Sequence, residues 1–204
     1  MNKRSVLAQA EACFGAGWWM PPVYYSHEFS LRIELAQGEF WVERLVSAQL
    51  RASAITSAAL SGSRETHLVV AHALRASAME TEELVELSAA LLAYGLPRFA
   101  ACESQVVPPT DAEDLHTWLG IARLPRSQIN RAIVAALASD LEYFPGVPGH
   151  LFILDLEHGV LVHPYDDRGM DVASTSRNQI QNLYDVYGHW LLDYDRQRMD
   201  EAFG

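Results

Sequence analysis

The stretch LFILDLEHGVLVHPYDDRGMDV, residues 151–172, decides the fold of this chain. Its first four residues are all apolar, which is typical of a buried strand. His158-Gly159 predicts a tight turn, and residues 160–162 predict a second strand that pairs with the first. The hairpin ends in a charged segment, Tyr165-Asp166-Asp167-Arg168-Gly169-Met170-Asp171-Val172. Its three carboxylates and one guanidinium must pair with each other, bind a ligand or shift a pKa.

The rest of the sequence predicts helices and strands that do not alternate regularly. Apolar periodicity predicts further strands at 28–36, 66–74, 98–107 and 115–122, and helices at 3–14, 39–60, 81–94, 126–140 and 174–192. We therefore expect an α+β fold, in which an antiparallel or mixed sheet of about five or six strands packs against about four or five helices. We expect residues 1–204 to form a single domain, with residues 28–62 and 115–196 forming the main sheet and its packed helices.

The composition indicates an acidic protein with a sizeable core. Of the 204 residues, 50% are hydrophobic, and the formal net charge is −11. Residues 140–204 hold twelve acidic and four basic side chains, so the negative charge is concentrated in this part. Binding to nucleic acid or to an anionic membrane needs clustered Lys and Arg, so neither is an expected partner. The N-terminus lacks the apolar segment of a signal peptide, and we expect a cytoplasmic protein.

The charged segment permits three kinds of chemistry. Asp166, Asp167 and Asp171 are hard oxygen ligands suited to Mg²⁺ or Ca²⁺, although their spacing does not match an EF-hand loop. Two carboxylates in unlike environments also suit acid–base catalysis. The interpretation that we favour is structural: Gly169 adopts a positive φ, Arg168 bridges one aspartate, and another aspartate accepts backbone N–H bonds. Asp171 is equally a candidate for an exposed residue just before the next helix.

No metal or cofactor motif is recognisable elsewhere in the sequence. His158 and His163 flank the hairpin, and His67 and His72 lie five residues apart, but neither pair has a third ligand at a familiar spacing. The signatures of zinc enzymes, phosphate-binding loops, dinucleotide-binding turns and serine-hydrolase elbows are absent. We therefore predict no metal, no cofactor and no catalytic residues.

A second group of polar and aromatic residues lies near the C-terminus. It consists of Tyr184, Tyr187, Asp193, Tyr194 and Asp195. Asp193, Asp195 and the neighbouring Arg196 are candidates to pair with Arg168 or Arg32, which would hold the last helix on the sheet. Tyrosines in such positions bury their rings and keep their hydroxyl groups near water. An exposed row of Tyr and Asp would instead suit a protein interface.

The charged segment and the later segment Trp190-Leu191-Leu192-Asp193-Tyr194-Asp195-Arg196 together resemble a known pattern. They are similar to an uncharacterised family of bacterial domains of unknown function. That family carries a C-terminal Tyr-Asp-Asp-Arg-Gly motif and a Trp-Ile/Leu-Leu-Asp-Tyr-Asp-Arg segment. The resemblance covers residues 150–196 and extends loosely to residues 29–34. It implies a bacterial cytoplasmic protein and brings no established activity or catalytic residue.

Two hypotheses of function follow. The first is a non-enzymatic acidic binding protein, for example an immunity protein that neutralises a toxin by covering its active site. A basic toxin domain is the expected partner, because an acidic, tyrosine-rich surface complements a basic cleft. The alternative is a small metal- or ligand-dependent enzyme centred on the Asp-Asp-Arg-Gly turn, which requires these side chains to converge in a pocket. The candidate binding residues are Tyr165, Asp166, Asp167, Arg168, Asp171, Tyr184, Tyr187, Asp193, Tyr194 and Asp195.

Overall fold

Seven strands form one sheet in the computed structural model, which describes residues 5–75, 82–97, 103–108, 115–139 and 145–204. The strands are β1 (Phe29–Glu34), β2 (His67–Arg75), β3 (Glu103–Val107), β4 (Leu115–Arg123), β5 (His150–Asp155), β6 (Val160–Asp166) and β7 (Gly169–Ser174). Their order across the sheet is β1-β7-β6-β5-β2-β4-β3, and each neighbouring pair is antiparallel. The predicted α+β class is confirmed, with an antiparallel sheet.

Seven α-helices accompany the sheet in the described ranges. They are α1 (Val6–Phe14), α2 (Val23–Ser26), α3 (Trp41–Ala59), α4 (Glu82–Ala93), α5 (Ile129–Leu137), α6 (Arg177–Tyr187) and α7 (Arg196–Phe203). The sequence underestimates both counts. The helix α2 has only four residues, and α7 is too polar for a clear apolar periodicity. None of the helices in these ranges combines the length and the apolar character needed to cross a membrane.

The sheet separates two hydrophobic clusters, one on each face. Leu151 and Ile153 of β5 belong to the first cluster, whereas Phe152 and Leu154 belong to the second. The helix α3 covers the first face with a narrow buried stripe that contains Ala48, Ala52 and Ile55. The second face is covered by α1 and by the segment after it; Leu7, Ala10, Phe14 and Trp18 are buried there. Because both faces are covered, the four central residues of β5 are all apolar.

The structure corrects the prediction for the segment after the charged turn. Residues 169–174 form β7 between β1 and β6, and α6 begins only at Arg177, so the predicted helix 174–192 starts too early. Asp171 lies within β7, opposite Arg32 of β1 and His163 of β6. It is buried, and the interpretation of Asp171 as an exposed residue before a helix is wrong. A charged residue in a central strand is acceptable here because a neighbouring strand supplies its counter-ion.

The other predicted elements agree with the structure where it describes them. The strands 66–74 and 115–122 correspond to β2 and β4, and the β5–β6 hairpin turns at Gly159, which has a φ of 64°. The predicted helix 39–60 is α3, and the predicted helix 126–140 is a short 3₁₀ turn followed by α5. The expected N-cap Thr81 and residues 98–102 of a predicted strand lie outside the described residues.

Candidate functional site

A cavity of about 710 Å³ lies on the second face of the sheet, beside the cluster formed by α1 and Trp18. Its floor comes from β1, β7, β6 and the start of β5, and its rim comes from two proline-containing loops. Four of the predicted binding residues line it, together with residues from distant parts of the chain. The lining residues are Pro21, Pro22, Arg32, Ser139, Val147, Pro148, Gly149, His150, His163, Tyr165, Asp166, Arg168 and Asp171.

Strand register places Arg32, Asp171 and His163 in one row across three neighbouring strands. Arg32 donates from Nε to Asp171 Oδ1 at 2.9 Å and from Nη2 to Asp171 Oδ2 at 3.2 Å. The backbone N–H of Tyr24 also donates to Asp171 Oδ2, at 3.1 Å. Arg32 is 14% exposed and Asp171 only 1%, so this is a largely buried ion pair with several hydrogen bonds.

Arg32 also connects the C-terminal segment to the sheet. Its Nη1 donates to Asp195 Oδ2 at 3.3 Å, which confirms the predicted pairing of Asp195 with Arg32. The Tyr25 hydroxyl donates to the other oxygen of Asp195 at 2.9 Å. The Arg32 guanidinium lies 5.0 Å from the centre of the Tyr24 ring, and Arg198 lies 4.9 Å from the same centre. These contacts fix the guanidinium of Arg32 from more than one side.

The pKa values of the buried pair reflect two opposing effects. Burial raises the pKa of Asp171, while its hydrogen bonds with Arg32 and with the Tyr24 backbone oppose that rise. Burial lowers the pKa of Arg32, but the hydrogen bonds and charge of Asp171 outweigh it, and the pKa of the guanidinium is raised. The arginine partner therefore favours the ionised form of Asp171, whereas burial favours the protonated form.

His163 is the most unusual group at the cavity. Its side chain is 1% exposed and stacks on Phe152, with ring centres 4.4 Å apart and an interplanar angle of 24°. Within the described part of the chain, neither ring nitrogen has a hydrogen-bond partner. Burial, helped by His150 and Arg32, lowers the pKa of His163 to about 3. The imidazole is therefore neutral at physiological pH and offers one donor and one acceptor.

Tyr165 and Gly169 depend on each other. The phenol ring of Tyr165 lies so close to Gly169 that a Cβ there would be 2.8 Å from the ring carbon Cζ and 2.9 Å from the Ile33 carbonyl oxygen. Gly169 is not among the glycines with positive φ, so the predicted reason for this glycine is wrong. Glycine is needed here because a side chain would collide with the tyrosine ring, and not because the backbone adopts a positive φ. Burial raises the pKa of Tyr165, so its hydroxyl group stays protonated.

Asp167 and Arg168 form the β6–β7 turn, and Arg168 pairs with Asp166 at the end of β6, as the favoured structural interpretation predicts. The Arg168 backbone N–H donates to Asp166 Oδ1 at 2.7 Å, and its Nε donates to Asp166 Oδ2 at 2.9 Å. The Arg168 carbonyl oxygen accepts a 2.9 Å hydrogen bond from the Leu35 N–H, which joins the turn to the end of β1. The Arg168 side chain is 70% exposed, so its ion pair with the buried Asp166 is largely solvated on one side.

The three aspartates of the motif do not converge. Asp167 accepts a 3.0 Å hydrogen bond from Nε of Arg44 on α3, whereas Asp166 pairs with Arg168 and Asp171 with Arg32. Nowhere in the described chain do three or more His, Cys, Asp or Glu side chains come together so that they could hold a metal ion. The metal version of the enzyme hypothesis therefore has no ligand set in the described residues.

The other predicted binding residues lie away from the cavity. The Tyr184 hydroxyl donates to Asp200 at 2.7 Å, and its ring stacks on Phe203 of α7. Tyr187 stacks on Trp190. Asp193 is exposed, and Tyr194 is 87% exposed. The structure therefore divides the predicted set into a cavity group around Tyr165 and a C-terminal surface group, and only Asp195, through Arg32, contacts both regions.

Several cavity residues were not predicted as site residues from the sequence. The sequence predicts Arg32 only as an ion-pair partner, and it indicates His163 only as a candidate metal ligand beside His158. No sequence motif assigns His150 or the loops at residues 21–22 and 147–149 to a site. A sequence signal for His163 exists: it is a polar residue that directly follows the apolar run of residues 160–162. Its neighbours, however, depend on the pairing of three strands, which the sequence does not specify.

One protein family matches this chain over most of its length. Comparison with curated proteins and with solved structures gave no match in either set. The family match covers the cavity residues of β1, β5, β6 and β7 and the C-terminal segment as far as Asp195. The chain belongs to the family described as a domain of unknown function (DUF3885), whose profile matches residues 9–195.

Proposed function

We propose that this protein binds a small molecule in the cavity formed by β1, β7, β6 and β5. The observation that carries the proposal is His163, a buried imidazole at the cavity with both ring nitrogens unpaired among the described residues. A buried polar group without a hydrogen bond costs about 1–3 kcal/mol, so native proteins rarely retain one without a reason. A ligand that bonds to His163 supplies such a reason.

The size and lining of the cavity support the same proposal. Its volume of about 710 Å³ lies within the usual range for small-molecule sites. The lining combines the apolar side chains of Pro21, Pro22, Val147 and Pro148 with a larger set of polar and charged groups that can orient a ligand. Arg32 and Asp171 are held by several bonds each, so this part of the site is preorganised before a ligand arrives.

A library of small metabolites, scored by the rise in melting temperature, tests this proposal. A ligand present at 100 times its Kd stabilises the native state by about 2.7 kcal/mol, which raises the Tm of a chain of this size by roughly 5–10 °C. His150→Trp replaces a lining side chain by a larger one that occupies part of the cavity, and it should abolish the rise. His189→Trp makes the same change at an exposed position outside the cavity lining and should preserve it.

Two outcomes would count against a small-molecule site. One is a library in which no compound raises the Tm of the wild-type protein. The other is a set of active compounds that stabilise His150→Trp as well as they stabilise His189→Trp, because such compounds bind elsewhere.

The C-terminal surface favours a second candidate function, an acidic protein that binds a protein partner. Tyr194 is a large aromatic residue that is almost fully exposed beside the exposed Asp193, and such residues are frequent interface anchors. A basic partner fits the net charge of −11, and an immunity protein acting on a basic toxin domain is one such arrangement. Affinity capture from the native host tests it: a partner retained by the wild type and lost with Tyr194→Ser supports it, and the lack of any stable partner contradicts it.

A further inference from the structure

Resting on the proposed small-molecule site, we infer that its ligand is an uncharged molecule that carries hydroxyl or amide groups. The inference depends on how the charged groups of the cavity are already used, and on the two unpaired nitrogens of His163.

The charges in the cavity lining are already balanced. Arg32 and Arg168 supply two positive charges, and their partners Asp171 and Asp166 supply two negative charges. Asp195, which also pairs with Arg32 but does not line the cavity, adds a further negative charge nearby. A phosphate or carboxylate group would therefore enter a site with no net positive charge, in a protein that is acidic as a whole.

The individual ion pairs lead to the same conclusion. Both oxygens of Asp171 accept hydrogen bonds from Arg32, and one of them also accepts from the Tyr24 backbone. Both oxygens of Asp166 accept bonds from Arg168. At Asp171 a cationic ligand would have to compete with the Arg32 guanidinium, and at Arg32 an anionic ligand would have to compete with Asp171 and Asp195. The pair of Asp166 with the mostly exposed Arg168 discriminates less. Breaking an ion pair that is already buried is costly.

His163 complements a neutral group better than a charged one. A neutral imidazole has one N–H donor and one nitrogen acceptor. Hydroxyl and amide groups also carry both functions, so they can satisfy either nitrogen. An anion cannot donate to the acceptor nitrogen, and an ammonium cannot accept from the donor nitrogen. A hydroxyl or amide group therefore suits the nitrogen that it meets in either tautomer of His163, whereas an anion pairs only with a protonated nitrogen and an ammonium only with an unprotonated one.

Three small molecules of nearly equal shape separate these possibilities: acetamide, acetate and acetamidinium, which are neutral, negative and positive. Each is titrated into protein whose histidines carry ¹³C at Cε1, and the His163 signal is followed by NMR. That signal is assigned as the one missing from the His163→Gln spectrum. We expect acetamide to shift the His163 signal with a Kd at least tenfold lower than that of acetate or acetamidinium. In the variants, acetamide binding is followed by backbone amide shifts. We expect His163→Phe to lose binding, and we expect His163→Gln, which keeps one donor and one acceptor, to bind acetamide with a Kd within about threefold of the wild-type value.

The outcomes distinguish this inference from the proposal on which it rests. If acetate or acetamidinium binds as tightly as acetamide, the inference about charge is wrong and the small-molecule site stands. A second outcome is that none of the three compounds shifts the His163 signal, while library compounds stabilise the wild type and not His150→Trp. In that case the inference is again wrong and the small-molecule site stands. If both the three compounds and the library fail, the proposed site itself is wrong. Unchanged acetamide binding in a folded His163→Phe variant would also overturn the role given to His163.

Discussion

Two arginines of the cavity are predicted to differ greatly in their contribution to stability. Arg32→Ala removes the counter-ion of Asp171, which is almost fully buried, and leaves that carboxylate with a single backbone N–H donor from Tyr24. Breaking a buried pair in this way costs about 3–5 kcal/mol. Arg168→Ala makes the same chemical change at a side chain that is mostly exposed, and we expect a loss below about 1 kcal/mol.

Urea denaturation of both variants measures this difference directly. The free energy of unfolding is obtained from the transition midpoint and the m-value, and an unchanged m-value shows that the comparison concerns stability alone. For a chain of this size, a loss of about 3–5 kcal/mol corresponds to a decrease in Tm of roughly 6–20 °C. Arg168→Ala serves as the matched control, because the substitution is the same and Arg168 also pairs with a buried aspartate, Asp166.

The loss in Arg32→Ala should also depend on pH. Without the guanidinium, only the Tyr24 backbone N–H still opposes the effect of burial on Asp171, so its pKa in the folded state is raised further above the unfolded value. A carboxyl group with a raised folded-state pKa destabilises the protein while it is ionised, and this cost disappears as pH falls through that pKa. The difference between wild type and Arg32→Ala should therefore become smaller as pH is lowered from 7 towards 4. Equal losses for the two arginine variants, or a deficit that grows on acidification, would refute this reasoning.

Three further perturbations follow from the same contacts. Gly169→Ala places a Cβ against the Tyr165 ring and should lower the free energy of unfolding by about 1–3 kcal/mol. The same substitution in a Tyr165→Ala background should lower it by less, and equal losses in urea denaturation would show that the ring is not the obstacle. The pKa of His163 is about 6.5 in the unfolded state and about 3 in the folded state, so the unfolded state takes up a proton first as pH is lowered. Wild-type stability should therefore fall more steeply between pH 6.5 and pH 3 than the stability of His163→Phe, and parallel curves of unfolding free energy against pH contradict this. Asp167→Asn disrupts a partly exposed pair with Arg44 and should change the unfolding free energy by less than about 1 kcal/mol; a larger loss in urea would show that this pair is more deeply desolvated than its exposure indicates.

The sequence predicts the parts of this fold whose signals are local. The β5–β6 hairpin follows from an apolar run, a His-Gly turn and a second apolar run. The helix α3 follows from a stripe of small and apolar residues at helical spacing. Both signals lie within one continuous segment, so no knowledge of distant contacts is needed to interpret them.

The strand β7 was missed because its stability depends on residues far away in the chain. Its sequence, Gly169-Met170-Asp171, lacks the alternation of a half-buried strand. Asp171 is tolerated there because Arg32 lies opposite it on β1, 139 residues earlier in the chain. An ion pair across two strands has no local signature, and the sequence alone therefore made Asp171 equally suitable as an exposed residue.

The candidate site shows the same limit. The Tyr-Asp-Asp-Arg-Gly motif identified one wall of the cavity, and Tyr165, Asp166 and Arg168 do line it. The motif suggested that its aspartates act together, but the two-residue turn directs Asp167 to α3 and away from the cavity. His163 is a candidate ligand-binding residue because its ring stacks on Phe152 and its nitrogens have no partner in the described residues. Both features arise from tertiary packing, so the sequence does not predict them.

The proposed contact between His163 and a ligand is tested most directly by ¹⁵N NMR of its imidazole. The protein is equilibrated with a protein-free small-molecule extract of the cells that make it, and the two ring nitrogens are observed before and after. We predict that the His163 ring signals shift in the wild type and in His189→Trp, and that they do not shift in His150→Trp. Ring signals of His163 that stay unchanged in the wild type at every extract concentration would contradict a ligand-binding role for this residue.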